Sequence, residues 1–244
     1  MHEVVPAAAF LLLGATVGIT FRQLVHPPAP APASDSDAEA ATRARLHRHA
    51  SQLALVQQLT ADPAWTSWPA YAGVPAARRP HHLMSGPLGG PRAAGGYQRV
   101  FHHRGTGEVV VVVHLGRAVA GWPLVVHGGV LASVLDESCG RAAFREWGAT
   151  GVTARLGLQF RRPAFADRFY VVRCRARREE ELPEEERGKR HYKVYVDATL
   201  EDAKDGHLCV VAEGIFVGGR GKTRPGWNGL GDGQSAVDLS TDQF

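Results

Sequence analysis

The sequence has little cysteine, no strong charge of either sign and no Lys or Arg ahead of its first apolar run. Three cysteines in 244 residues, Cys139, Cys174 and Cys209, form no CxxC pair and have no histidine at metal-ligand spacing. Neither a disulfide framework nor a zinc site is expected, and all three read as buried thiols in a reducing compartment. The net charge is only +4 and the basic residues are scattered. That speaks against nucleic acid as a partner, while a phosphorylated ligand or an anionic membrane surface stays compatible. The histidine pairs His81–His82 and His102–His103 make no metal site, because neighbours at i and i+1 do not face one way on a strand. Because no Lys or Arg precedes the apolar run 4–21, a standard secretory signal does not fit.

What is present is enough for a core. Hydrophobic residues make up 44% of the chain, and the 28 glycines and 15 prolines cluster. Residues 1–25 read as a membrane anchor or targeting segment. The uncharged run is at the short limit for a bilayer span, and Arg22, Arg43 and Arg45 after it place the bulk of the chain on the cytoplasmic or matrix side. Residues 26–38 are a Pro/Ala linker, semi-rigid and extended. Residues 39–96 are a helical lead-in and loop. Leu46, Ala50, Leu53 and Val56 recur at helical spacing and predict one amphipathic helix over 39–59 that packs on the domain after it, with Pro63 as its stop. Trp65, Trp68 and Tyr71 form an aromatic patch that seals a core edge, and 72–96 is an irregular loop.

From residue 97 the signal changes to strands. Segments 97–103 and 108–115 make a hairpin, and the unbroken Val109 to Val113 run predicts a strand covered on both faces. A helix follows from about Gly128 to Trp147, closed by Gly148. Four alternating segments come next, at 152–162, 168–177, 190–200 and 207–217. In the first, Ala154, Leu156, Leu158 and Phe160 share one face, and Thr153, Arg155, Gly157, Gln159 and Arg161 the other. Residues 219–244 read as a disordered tail. The fold class is therefore α+β, an antiparallel sheet of about six strands around one central helix over 97–218.

The central helix opens on His127-Gly128-Gly129 and carries Asp136 two turns on. Helix N-termini present unpaired N–H groups and favour negative charge, and glycine lets a ligand approach them. Val130, Leu131, Val134 and Leu135 form the apolar stripe. Gly129, Ala132, Asp136, Gly140 and Ala143 fall on a neighbouring, small-residue face. A carboxylate there either pairs with an arginine such as Arg141 or Arg145 or serves chemistry. Gly128 and Asp136 lie about 12 Å apart at 1.5 Å per residue, so one helix does not serve one carbonyl with both, which favours a site shared between two copies.

The stretch HGGVLASVLDE, followed by Thr153 to Pro163 (TARLGLQFRRP), resembles the PaaI-like hotdog-fold acyl-CoA thioesterases, and 50–96 resembles the lead-in of fungal, membrane-linked members. The resemblance implies a hotdog fold that dimerises through its sheet, as a homodimer or a dimer of dimers. It implies hydrolysis of acyl-CoA without a metal or redox cofactor, in a membrane-associated and mitochondrial setting. The Gly128 N–H would meet the thioester carbonyl with Gly129 nearby, and His127 would orient that loop. Asp136 of the other copy would be general base or nucleophile, and Thr153 would position the water. Arg161, Arg162 and Arg155 would hold the coenzyme A phosphates, and the Trp65/Trp68 segment with the 72–96 loop would cover an acyl tunnel. One departure stands out: many members carry an Asn six residues before the His, and here Gly121 stands there. A second is a longer helix-to-strand turn at 148–151. Two other readings share the fold: a non-catalytic acyl-CoA binding or scaffold protein, and a hydratase or dehydratase, which would want a paired Asp/His in another motif.

Overall fold

A computed structural model describes residues 36–148 and 151–218. The anchor read at 4–21, most of the Pro/Ala linker and the tail from 219 lie outside the described residues. No helix among the described residues is long and apolar enough to cross a membrane.

The lead-in opens with two helices rather than one. Helix α1 (Ser36–Ala50) and helix α2 (Ala54–Ala61) are separated at Leu53, whose backbone is extended. Leu46, Ala50, Val56 and Leu59 are buried as the periodicity predicts.

The strands are β1 (Trp65–Pro69), β2 (Gln98–His103), β3 (Val109–Leu115), β4 (Ala120–Trp122), β5 (Val125–Val126), β6 (Gly151–Phe160), β7 (Arg168–Ala176), β8 (Lys193–Asp202) and β9 (Leu208–Gly218). Seven of them form one antiparallel sheet in the order β1-β2-β3-β7-β8-β9-β6. The seventh strand, β1, comes from the lead-in and pairs with β2, Trp65 opposite His103 and Trp68 opposite Val100. Three residues apart on a strand, the two tryptophans face opposite ways. Trp68 is buried in the inner core and Trp65 packs on the outer one, so they do not line one tunnel wall.

Helix α3 (Gly128–Trp147) lies on the inner face of the sheet. Leu131, Val134, Leu135 and Cys139 meet Val111, Val113, Val172, Val196 and Phe216 there. The outer face of β2, β3 and β7 is covered by α1 and α2 through Phe101, Val110, Val112, Phe169 and Val171. Strand β3 is thereby buried along its whole length, as a continuous β-branched run requires. Gly148 ends α3 in the left-handed region, φ 59°, with its N–H on Phe144 O. This is the hotdog arrangement: one helix held in an antiparallel sheet. The 72–96 loop is packed rather than loose, since Met84, Ala93 and Ala94 are buried in the inner core.

Candidate active site

The N-terminus of α3 is built by its own sequence. His127 is the N-cap with extended backbone, and its Nδ1 accepts from the Gly129 N–H at 2.9 Å. The His127 carbonyl accepts from Val130 and Leu131, at 2.9 and 3.3 Å. Within that first turn only the Gly128 N–H meets no acceptor among the described residues. Of the two glycines named for the carbonyl, Gly128 is therefore the free donor and Gly129 is committed to the cap. Phe160 lies beside it: a Cβ built on Gly128 would come 3.3 Å from Phe160 Cζ. Sequence alternation put Phe160 among apolar core residues, yet it is 56% exposed at the end of β6.

The His127 ring also explains Gly121. A Cβ at 121 would sit 2.6 Å from His127 Cδ2, 2.9 Å from its Cβ and 3.0 Å from its Cα. No side chain fits there while the histidine caps the helix. Residue 121 belongs to the short β4–β5 hairpin, which exposes Trp122 and Leu124, the latter at φ 64°.

Asp136 is half-buried and meets Thr153 Oγ1, which donates to its Oδ1 at 2.7 Å. The strand alternation placed Thr153 away from the apolar face of β6, and here the structure corrects it. The register shifts between Thr153 and Arg155, which pair with Phe216 and Ile215 in succession. This β-bulge turns Thr153 inward with Leu156 and Leu158, toward the helix, and leaves Arg155 facing out. Asp136 does not pair with Arg141 or Arg145. Arg141 is buried, bonds Glu137 at 3.3 Å and donates to Ala70 O at 3.3 Å, while Arg145 lies over the Trp68 ring.

Glu137, adjacent to Asp136, was not singled out by any motif. It accepts from Tyr71 Oη at 2.5 Å. Burial first, and the Glu137 charge after it, raise the Tyr71 hydroxyl well above the usual phenol range, against the lowering pull of Arg141. The lead-in thus grips α3 one residue past Asp136.

The three arginines do not act as one group within a chain. Arg161 and Arg162 follow β6, exposed, with both backbone N–H groups on Cys209 O. Arg155 is six residues back, about 20 Å along an extended strand, on the outer face. Among the described residues no group of His, Cys, Asp and Glu is arranged to hold a metal ion.

Residues 125–180 match the model of the thioesterase superfamily. That segment holds β5, all of α3 with its HGG cap, and β6 with β7. The described domain has the hotdog arrangement, and the segment that matches the thioesterase superfamily carries its central helix. The chain is 29% identical over 131 residues to the uncharacterized mitochondrial membrane protein FMP10 of Saccharomyces cerevisiae, covering 52% of this chain and 51% of that protein. It is 36% identical over 90 residues to MIOREX complex component 3 of the same yeast, covering 36% of this chain and 33% of that protein. The chain thus spans about half, or less, of the length of these two relatives. Among solved structures it is similar to the Escherichia coli PaaI protein of the phenylacetic acid degradation operon, at 17% identity and a TM-score of 0.43, covering 59% of this chain and 90% of that one.

Proposed function

We propose that this protein hydrolyses the thioester of acyl-CoA to a free fatty acid and coenzyme A, without a metal or redox cofactor. The observation that carries this reading is the Thr153–Asp136 pair at 2.7 Å. It is a half-buried carboxylate with a hydroxyl fixed beside it, in a domain whose helix offers one unclaimed N–H at Gly128. In the reaction Asp136 takes a proton from water as the water oxygen attacks the carbonyl carbon. The oxygen turns negative against the Gly128 N–H, the C–S bond breaks, and the thiolate leaves with the proton that Asp136 held. Thr153 keeps the carboxylate and the water in line.

Gly128 and Asp136 sit two turns apart on one rigid helix, so the acting pair comes from two copies. One edge strand of the sheet is β6, ten residues long and mostly exposed, with Phe160 at its end. An edge of that length invites strand pairing, which supports a homodimer, or a dimer of dimers, joined there. Arg161 and Arg162 then hold the coenzyme A phosphates, with Arg155 serving a more distant group. Similarity to a yeast mitochondrial membrane protein and to a MIOREX component supports a mitochondrial setting, with residues 4–21 as the tie to the membrane.

A free-thiol assay on the full chain, across acyl-CoA chain lengths, tests the reading. Asp136→Ala is expected to lower kcat by at least about 10²-fold. Unchanged turnover in that variant would remove Asp136 from the mechanism. One observation favours a second reading, a non-catalytic acyl-CoA binding protein: no side chain stands at 121 to help polarise the carbonyl. Saturable binding of acyl-CoA with no thiol release would select it.

A further inference from the structure

Resting on the hydrolase reading, the site has one backbone donor for the carbonyl oxygen, Gly128, and no room for a side chain at 121. The His127 ring is what takes that room, with its Cδ2 edge against Gly121 and its Nδ1 and Cε1 against Gly129, 3.0 and 3.1 Å from where a Cβ would be. Its tautomer follows from one hydrogen bond. A backbone amide only donates, so Nδ1, which accepts from Gly129 at 2.9 Å, carries no proton. The single proton of the neutral ring sits on Nε2. Nε2 lies between Cδ2 and Cε1, on the side of the ring away from the helix cap. No acceptor among the described residues meets it, and His127 is exposed.

We propose that His127 is a catalytic residue: its Nε2–H is the second oxyanion donor, beside the Gly128 N–H that follows it in the chain. The helix cap and the oxyanion site are then one device. The Gly129 amide occupies Nδ1 and turns the ring's Nε2 outward. A neutral imidazole with a fixed N–H can polarise a carbonyl without giving up its proton, so the proton returned to the thiolate still comes from Asp136. Gly121 is not a lost donor in this arrangement but the space that admits the ring.

The test separates cap from donor. In the full chain, τ-methylhistidine at 127 keeps the ring and the Nδ1 acceptor and blocks Nε2. His127→Ser keeps an N-cap acceptor and has no second donor at that reach. Both are expected to lower kcat by about 10²–10³-fold, with KM within about 3-fold and an unchanged melting temperature, since a transition-state donor acts on kcat. A kcat within about 3-fold of wild type in either variant overturns the proposal. So does a ¹⁵N spectrum of the wild-type ring that places the proton on Nδ1. Absence of wild-type turnover on every acyl-CoA is a different result: it removes the hydrolase reading and the donor role with it.

Discussion

Placing an asparagine at position 121 would seem to restore a polarising group to the site, but the structure predicts the opposite. The first atom of any side chain there meets His127 at 2.6 Å (Cδ2), 2.9 Å (Cβ) and 3.0 Å (Cα). Two of those are main-chain-proximal atoms that no rotamer change can move, so the cap itself must shift. Losing the His127–Gly129 bond costs about 1 kcal/mol, as for other N-caps. Forcing atoms into a filled space costs a further ~1–3 kcal/mol. The sum is about 2–4 kcal/mol of stability, or about 4–16 °C in melting temperature at about 2–4 °C per kcal/mol for a domain of this size. Gly121→Ala, which has the clash without the amide, is the matching control and should lose a similar amount. Calorimetry on both variants, with kcat alongside, reads the outcome. Gly121→Ala within 0.5 kcal/mol of wild type, or Gly121→Asn with a raised kcat, would refute the reasoning.

Thr153→Val removes the donor to Asp136 at an exposed position; kcat should fall about 10-fold while urea melts move by less than about 1 kcal/mol. Glu137→Leu leaves the Arg141 guanidinium buried without its carboxylate and Tyr71 without its acceptor. Unpairing a buried charge costs roughly 3–5 kcal/mol, and the partial exposure of Glu137, 25% for its side chain, points to the lower end; a urea midpoint unchanged from wild type would contradict the tether. His114 is buried in β3 beside the Phe169 ring, with its Nδ1 unpaired. Burial lowers its pKa, the charges of His49 and Arg45 on α1 lower it further, and Asp167 opposes them. The folded state therefore binds fewer protons here than the unfolded chain. The stability is fully present above the ordinary histidine value of 6.5 and is lost as pH falls through 6.5 toward the depressed folded value. His114→Leu should flatten that acid-side slope in pH-dependent melts.

Much of this protein is legible along the chain. The 3.6-residue period of Leu131, Val134, Leu135 and Cys139 marks α3 and its buried face. The Val109–Val113 run marks a strand covered on both sides, because a β-branched run without polar alternation has no face to give to water. The motif from His127 to Asp136 marks the proposed site, because a helix start with two glycines leaves N–H groups open and a carboxylate on a small-residue face is costly unless paired or used. Other features are silent. Strand β1 is five residues with two tryptophans and a terminal proline, and only its pairing with β2 makes it a strand. The α1–α2 break and the Tyr71–Glu137 tether depend on partners tens of residues away.

Local periodicity determined which residues form helix and strand and, for most of them, which face is buried, since both follow from side-chain geometry repeating every few residues. Tertiary structure decided the rest through long-range register and close approach. A one-residue bulge in β6, visible only against β9, turned Thr153 onto Asp136. The seat of the His127 ring against Gly121 decided which N–H groups at the start of α3 stay free.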